Sequence, residues 1–147
     1  MIKDIFSSQL VVSDLERSIE FYTEKLELKL IEKSTEPIND PELSEGINIP
    51  DASFKFALLK IGEEDLLELY EFINPKPETD EAVPFNSIGA SRINFLVENI
   101  EDAKKELEAK GIEFYSPVND FDGHKWVLFS DPDGIALELV QPDESEL

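Results

Sequence analysis

The apolar positions along this chain change their spacing in a way that marks out elements. In "IFSSQLVV", residues 5–12, they alternate, as in a strand with Phe6, Ser8, Leu10 and Val12 on one face and Ser7, Gln9 and Val11 on the other. The first set is expected to face the core. The period then lengthens in "SDLERSIEFYTEKL", where Leu15, Ile19, Tyr22 and Leu26 share one helical face behind an N-cap at Ser13 or Asp14. Residues 33–52 have no periodicity and are rich in Pro, Asp, Glu and Ser, which predicts a long loop. "SFKFALLKIG" and "DLLELYEFI" follow as two strands joined by a short acidic turn around Gly62 and Glu63. Next comes a polar, proline-rich stretch, the expected linker, at residues 75–87.

The pattern then starts again. "SRINFLV" predicts a strand and "ENIEDAKKELEAKG" a helix with Ile100, Ala103 and Leu107 on one face and Gly111 as C-cap. "IEFYSPV", "HKWVLFS" and "IALELVQ" are further strand candidates, the last two joined by "DPDG". The tail "PDESEL" is expected to fray. At an offset of 85, Val12 falls on Val97, Asp14 on Asn99 and Leu15 on Ile100; at 70, Leu67, Glu68 and Leu69 fall on Leu137, Glu138 and Leu139. The 33–52 loop accounts for the difference. Two duplicated βαβββ modules, at residues 1–74 and 88–142, are the simplest account.

Composition narrows the chemistry. With 147 residues and 41% hydrophobic content, the chain can bury one core or two small packed ones. Cys is absent, so thiolate metal sites and cysteine nucleophiles are excluded. A net charge of −21, from 34 Asp plus Glu against 13 Lys plus Arg, repels phosphate backbones and anionic membranes, so neither nucleic acid nor a membrane is an expected partner. No apolar run suits a membrane span, and the N-terminus does not read as a signal peptide, so a cytoplasmic protein is expected.

One residue stands out against this background. Glu138 lies inside the apolar strand "IALELVQ", where an unpartnered carboxylate would cost several kcal/mol or give up its charge. Packing of the modules about a pseudo-twofold axis would bring Glu138 together with Glu68, and Ser7 with Arg92.

"QLVVSDLERSIEFYTEKLELKL", "LLELYEF", "INFLVENIEDAKKELEAKGIEF" and "VLFSDPDGIALELV" together resemble the vicinal oxygen chelate superfamily, which includes glyoxalase I, bleomycin-resistance proteins and extradiol dioxygenases. The resemblance implies an α+β, glyoxalase-like fold: one domain of two tandem βαβββ modules whose curved sheet bears a cleft. It implies a divalent metal on four strands of that cleft, at positions that fall here on Ser7, Glu68, Arg92 and Glu138. Glu68 and Glu138 suit a metal or proton-moving role. Ser7 is a poor ligand, and Arg92 has no free lone pair.

The reading that follows is a protein with a degenerate metal site and no cofactor, in which Arg92 pairs with Glu138 or Glu68 in place of the metal. By the same resemblance, Leu128, Trp126 and His124 join Ser7, Gln9, Tyr70, Arg92 and Asn94 as residues that hold a small molecule. The alternative is a metal-dependent lyase, isomerase or dioxygenase with Glu68 and Glu138 as its ligands. A homodimer is expected from the resemblance, and the family's frequent Gly after the first helix is replaced by Glu27.

Overall fold

The computed structural model describes residues 1–147, and the polypeptide divides into two compact units, Met1–Asp80 and Glu81–Leu147. Each unit carries one four-stranded mixed sheet.

In the first unit the chain runs β1 (Ser8–Val11), α1 (Leu15–Glu20), a π-helical turn (Phe21–Lys25), β2 (Lys29–Lys33), α2 (Pro41–Ile47), β3 (Ser53–Ile61) and β4 (Asp65–Asn74). Strand order is β1-β4-β3-β2, with β1 parallel to β4 and the rest antiparallel. The second unit repeats this as β5 (Ile93–Leu96), α3 (Ile100–Ala109), β6 (Asn119–Phe121), β7 (His124–Ser130) and β8 (Ala136–Gln141), in the order β5-β8-β7-β6.

The repeat extends to single hydrogen bonds. Asp14 caps α1 and Asn99 caps α3, each side chain accepting a backbone N–H of the first turn. Val12 N donates to Tyr70 O at 2.8 Å, and Val97 N to Val140 O at 3.0 Å. Leu15 N donates to the Glu71 side chain at 2.7 Å, and Ile100 N to that of Gln141 at 2.9 Å. In each case a helix's first turn, with N–H groups that lack intrahelical partners, is tied to a side chain of the last strand of its unit.

Period-2 alternation divides each sheet. Leu67 and Leu69, like Leu137 and Leu139, are buried on one face, while Glu68 and Glu138 lie on the other. Val12, Leu15, Ile19 and Tyr22 complete the first unit's core, and Ile100, Leu107, Val127 and Phe129 the second's. Full burial of each such side chain contributes about 1.5–3 kcal/mol.

Several expectations need correction. Strand β1 begins at Ser8, and Phe6 is 79% exposed instead of buried, because β1 pairs only from Ser8, opposite Leu67. The 33–52 segment contains helix α2, whose signals are Asp40, accepting from Glu42 N, Pro41 in the first turn and Asn48 in the left-handed conformation at the end. "IEFYSPV" forms no strand. Tyr115 N donates to Leu128 O at 3.0 Å, but Pro117 has no N–H to continue a ladder. The edge strand β6 comes later, at a hairpin turned by Asp122 and Gly123, both at positive φ.

Helix α3 ends at Ala109 with Lys110 as its C-cap, in place of the expected Gly111, which lies just beyond at φ 91°. The tail is not frayed. Residues Glu144–Glu146 form a 3-10 turn held by a reciprocal capping box between Asp143 and Glu146. Glu27 takes the left-handed conformation at φ 62°, a strain of about 1 kcal/mol for a residue with a Cβ.

Candidate functional site

Each unit builds a carboxylate cluster on the sheet face away from its helix. In the first, β1 and β4 run parallel with Gln9 opposite Glu68, and Leu58 of β3 flanks Glu68 on the other side. Directly paired residues point to the same face, so Gln9, Glu68 and Leu58 form one row. The next row is Val11, Tyr70 and Phe56.

Glu68 Oε2 accepts from Ser7 Oγ at 2.6 Å and from Gln9 Nε2 at 2.7 Å, and its Oε1 accepts from Tyr70 Oη at 3.1 Å. All three donors are uncharged. Burial by itself would raise the Glu68 pKa, but the bonds from Ser7, Gln9 and Tyr70 outweigh it and hold the carboxyl below its ordinary value. Tyr70 moves the opposite way. Burial, then the hydrogen bond to Glu68 and the charge it carries, push the phenol up to about 12.

In the second unit the equivalent row is Asn94, Glu138 and Leu128. Glu138 is only 6% exposed. Its Oε2 lies 3.2 Å from Nε of Arg92, and the Arg92 guanidinium carbon sits 3.8 Å from the centroid of the Phe85 ring. The guanidinium therefore neutralises a buried carboxylate at its edge while its flat face rests on an aromatic ring, an arrangement that an ammonium could not reproduce.

Ser7, Gln9 and Tyr70 gather on Glu68, and Arg92, Asn94 and Leu128 gather on Glu138. His124 takes another partner: its Nδ1 lies 3.1 Å from both carboxylate oxygens of Glu146, which ties the start of β7 to the C-terminal turn. Trp126 is opposite Val140, one row from Glu138, and its ring centroid is 5.9 Å from that of His124. Phe85 and Glu146 were missed. An aromatic within the polar stretch "AVPFNSIG" is a weak signal, and nothing in a polar tail points to a histidine 22 residues upstream.

The donor chemistry decides whether a divalent metal fits. At the four positions that the resemblance marks, the Ser7 hydroxyl gives its proton to Glu68, and Arg92 has no lone pair to offer. Nowhere does the chain gather three or more His, Asp or Glu side chains in a group able to hold a metal ion. These residues do not fit the metal. A surface cavity of about 360 Å³ lies around α2, where Pro41, Ser44, Glu45 and Asp51 line it, and no residue of either cluster is among its lining.

Paired βαβββ units with a glutamate on an inner strand of each sheet, on the face opposite the buried leucines, define a glyoxalase-like class of protein. The chain belongs to the Glyoxalase/Bleomycin resistance protein/Dioxygenase superfamily, whose family model matches residues 5–139. It is 32% identical over 139 residues to a lactoylglutathione lyase of Schizosaccharomyces pombe, an alignment covering 92% of this chain but only 46% of the lyase. A lactoylglutathione lyase of Pseudomonas aeruginosa is 30% identical over 144 residues, covering 91% of this chain and 80% of that protein. Among solved structures, a glyoxalase family protein from Bacillus cereus superposes with a TM-score of 0.82 at 19% identity, covering 97% of this chain and 96% of the other. No helix is long and apolar enough to cross a membrane.

Proposed function

We propose that this protein binds a small organic molecule on a glutamate-bearing sheet face without a resident metal, in the manner that the bleomycin-resistance part of its superfamily's name suggests. The observation that carries this reading is the Arg92–Glu138 pair at 3.2 Å. A metal cation placed beside Glu138 would meet the repulsion of the Arg92 guanidinium, which has no lone pair to offer it. Gln9 and Tyr70 in the first unit, and Asn94, Trp126 and Leu128 in the second, supply each face with polar and apolar contacts of the kind that orient a bound molecule.

The test is thermal unfolding of EDTA-treated protein with Mg²⁺, Mn²⁺, Ni²⁺ or Zn²⁺ added singly, beside a screen of small aromatic amines and acids. A ligand of the native state raises the midpoint by mass action. The expected outcome is no rise with any metal and a rise with at least one organic class. A specific metal-dependent rise would overturn the reading.

The 32% identity to a lactoylglutathione lyase favours a second reading, in which the protein is a lyase or isomerase that moves protons with Glu68. Formation of lactoylglutathione by the purified protein, lost in Glu68→Gln, would establish it. As part of the first reading we place the protein as a homodimer, to be checked by sedimentation velocity.

A further inference from the structure

We propose that the Glu68 face of the first unit is a subsite for a primary ammonium group carried on an aromatic or flat apolar body. This deepens the small-molecule reading above and rests on it.

Charge balance is the first support. Glu138 has a guanidinium, whereas Glu68 has three hydrogen-bond partners and none of them is charged. The carboxylate is half-buried and reachable from solvent, and none of the groups bonded to it brings a counter-charge. The geometry of the donors adds the second support. Ser7 and Tyr70 each spend their single hydroxyl proton on Glu68, so outward they offer lone pairs only. Glu68, Ser7 and Tyr70 thus present an acceptor surface matched to the three N–H donors of an ammonium and mismatched to a carboxylate or phosphate.

The third support is what surrounds it. Phe56, Tyr70 and Phe72 lie on the same face of β3 and β4 as Glu68 and are partly exposed, backed by Phe54, a buried residue of that face. Phe54 lies 5.7 Å, centroid to centroid, from both Tyr70 and Phe72. Aromatic faces beside a carboxylate favour a cation with an apolar body. The net charge of −21 raises the local concentration of any cation that approaches.

The experiment is calorimetric titration of the full chain with 2-phenylethylamine, 2-phenylethanol and 3-phenylpropanoate, which share a ring and differ in charge. NMR of the Gln9 side-chain amide reports the place of binding. The amine is expected to bind with at least about tenfold higher affinity than the alcohol, to shift the Gln9 amide, and to weaken as salt is raised. Glu68→Gln, shown to be folded by circular dichroism, should abolish that preference. Tyr70→Phe, which keeps the carboxylate, should retain it.

Equal binding of amine and alcohol, or a preference that survives Glu68→Gln, would overturn the ammonium assignment. Tighter binding of 3-phenylpropanoate would overturn it too, while leaving the small-molecule reading intact. If none of the three binds at millimolar concentration the assignment is also lost. The broader reading falls separately, on a metal-dependent rise in the unfolding midpoint.

Discussion

The two units answer the same physical problem differently. Each places a glutamate at the same point of a repeated sheet, beside a cross-strand amide, Gln9 or Asn94, and a cross-strand leucine, Leu58 or Leu128. In the first unit Ser7 stands where the second has Arg92, at the offset of 85 that relates the two repeats. That exchange changes the character of the site. Glu68 is satisfied by neutral donors and remains a reachable anion, whereas Glu138 is buried and neutralised. Duplication supplied two equivalent carboxylates, and one neighbouring residue made them chemically different.

The largest way to break this contrast is Arg92→Met. It leaves Glu138 buried with no counter-charge, and removal of one partner of a buried pair costs about 3–5 kcal/mol. Urea unfolding should show a loss near the lower end, since the Arg92 side chain is 24% exposed. Arg92→Met combined with Glu138→Leu should recover most of it. The matching change in the first unit, Ser7→Ala, should cost only about 1 kcal/mol, the net value of one hydrogen bond. A comparable loss from both would mean that the clusters do not differ as described.

The shared scaffold predicts a symmetric result. Leu69 and Leu139 are both buried, at 0% and 3% exposure, so Leu69→Ala and Leu139→Ala should each destabilise by about 3 kcal/mol. Unequal losses in denaturant midpoints would show that the repeat is closer in hydrogen bonding than in packing.

A smaller effect separates the units by pH. The Tyr70 pKa is raised in the folded state, to about 12 from 10.0, so its contribution to stability is fully present below pH 10 and is lost as the pH rises toward 12. Wild type should therefore lose more stability over that interval than Tyr70→Phe. For Glu68 the folded pKa lies below the ordinary value. Its contribution is present above about 4.5 and disappears as the pH falls through the folded pKa, and carbon-13 NMR should place the Glu68 carboxyl midpoint below those of solvated glutamates.

The smallest expected effect concerns a feature with no counterpart in the first unit. His124→Phe breaks the bond to Glu146, an exposed pair worth about 1 kcal/mol or less. Hydrogen exchange should show the loss confined to the C-terminal turn and the start of β7.

Much of this architecture was legible from periodicity. Strand β7 was legible in the alternation of "HKWVLFS", and α3 in the helical spacing of Ile100, Ala103 and Leu107. The duplicated registers followed from spacing because a strand or helix imposes its period on any sequence that folds as one. Elements with short or mixed signals were not legible. Helix α2 has only seven residues and buries little beyond Ser44, so it leaves no apolar stripe to read. Strand β6 has three residues, and its identity rests on hairpin partners in β7.

The sequence by itself determined the βαβββ repeat, the choice of buried faces, and the presence of a glutamate in each final strand where apolar residues should lie. These depend on residue type and local period alone. It also marked Arg92 as the residue that a metal would not tolerate. Only the tertiary structure decided which carboxylate Arg92 neutralises, that Phe85 from the preceding segment receives its face, that Tyr70 turns its hydroxyl to Glu68, and that His124 belongs to Glu146. Those pairings depend on where distant segments meet, and a side chain finds its partner by reach and angle, which no spacing along the chain records.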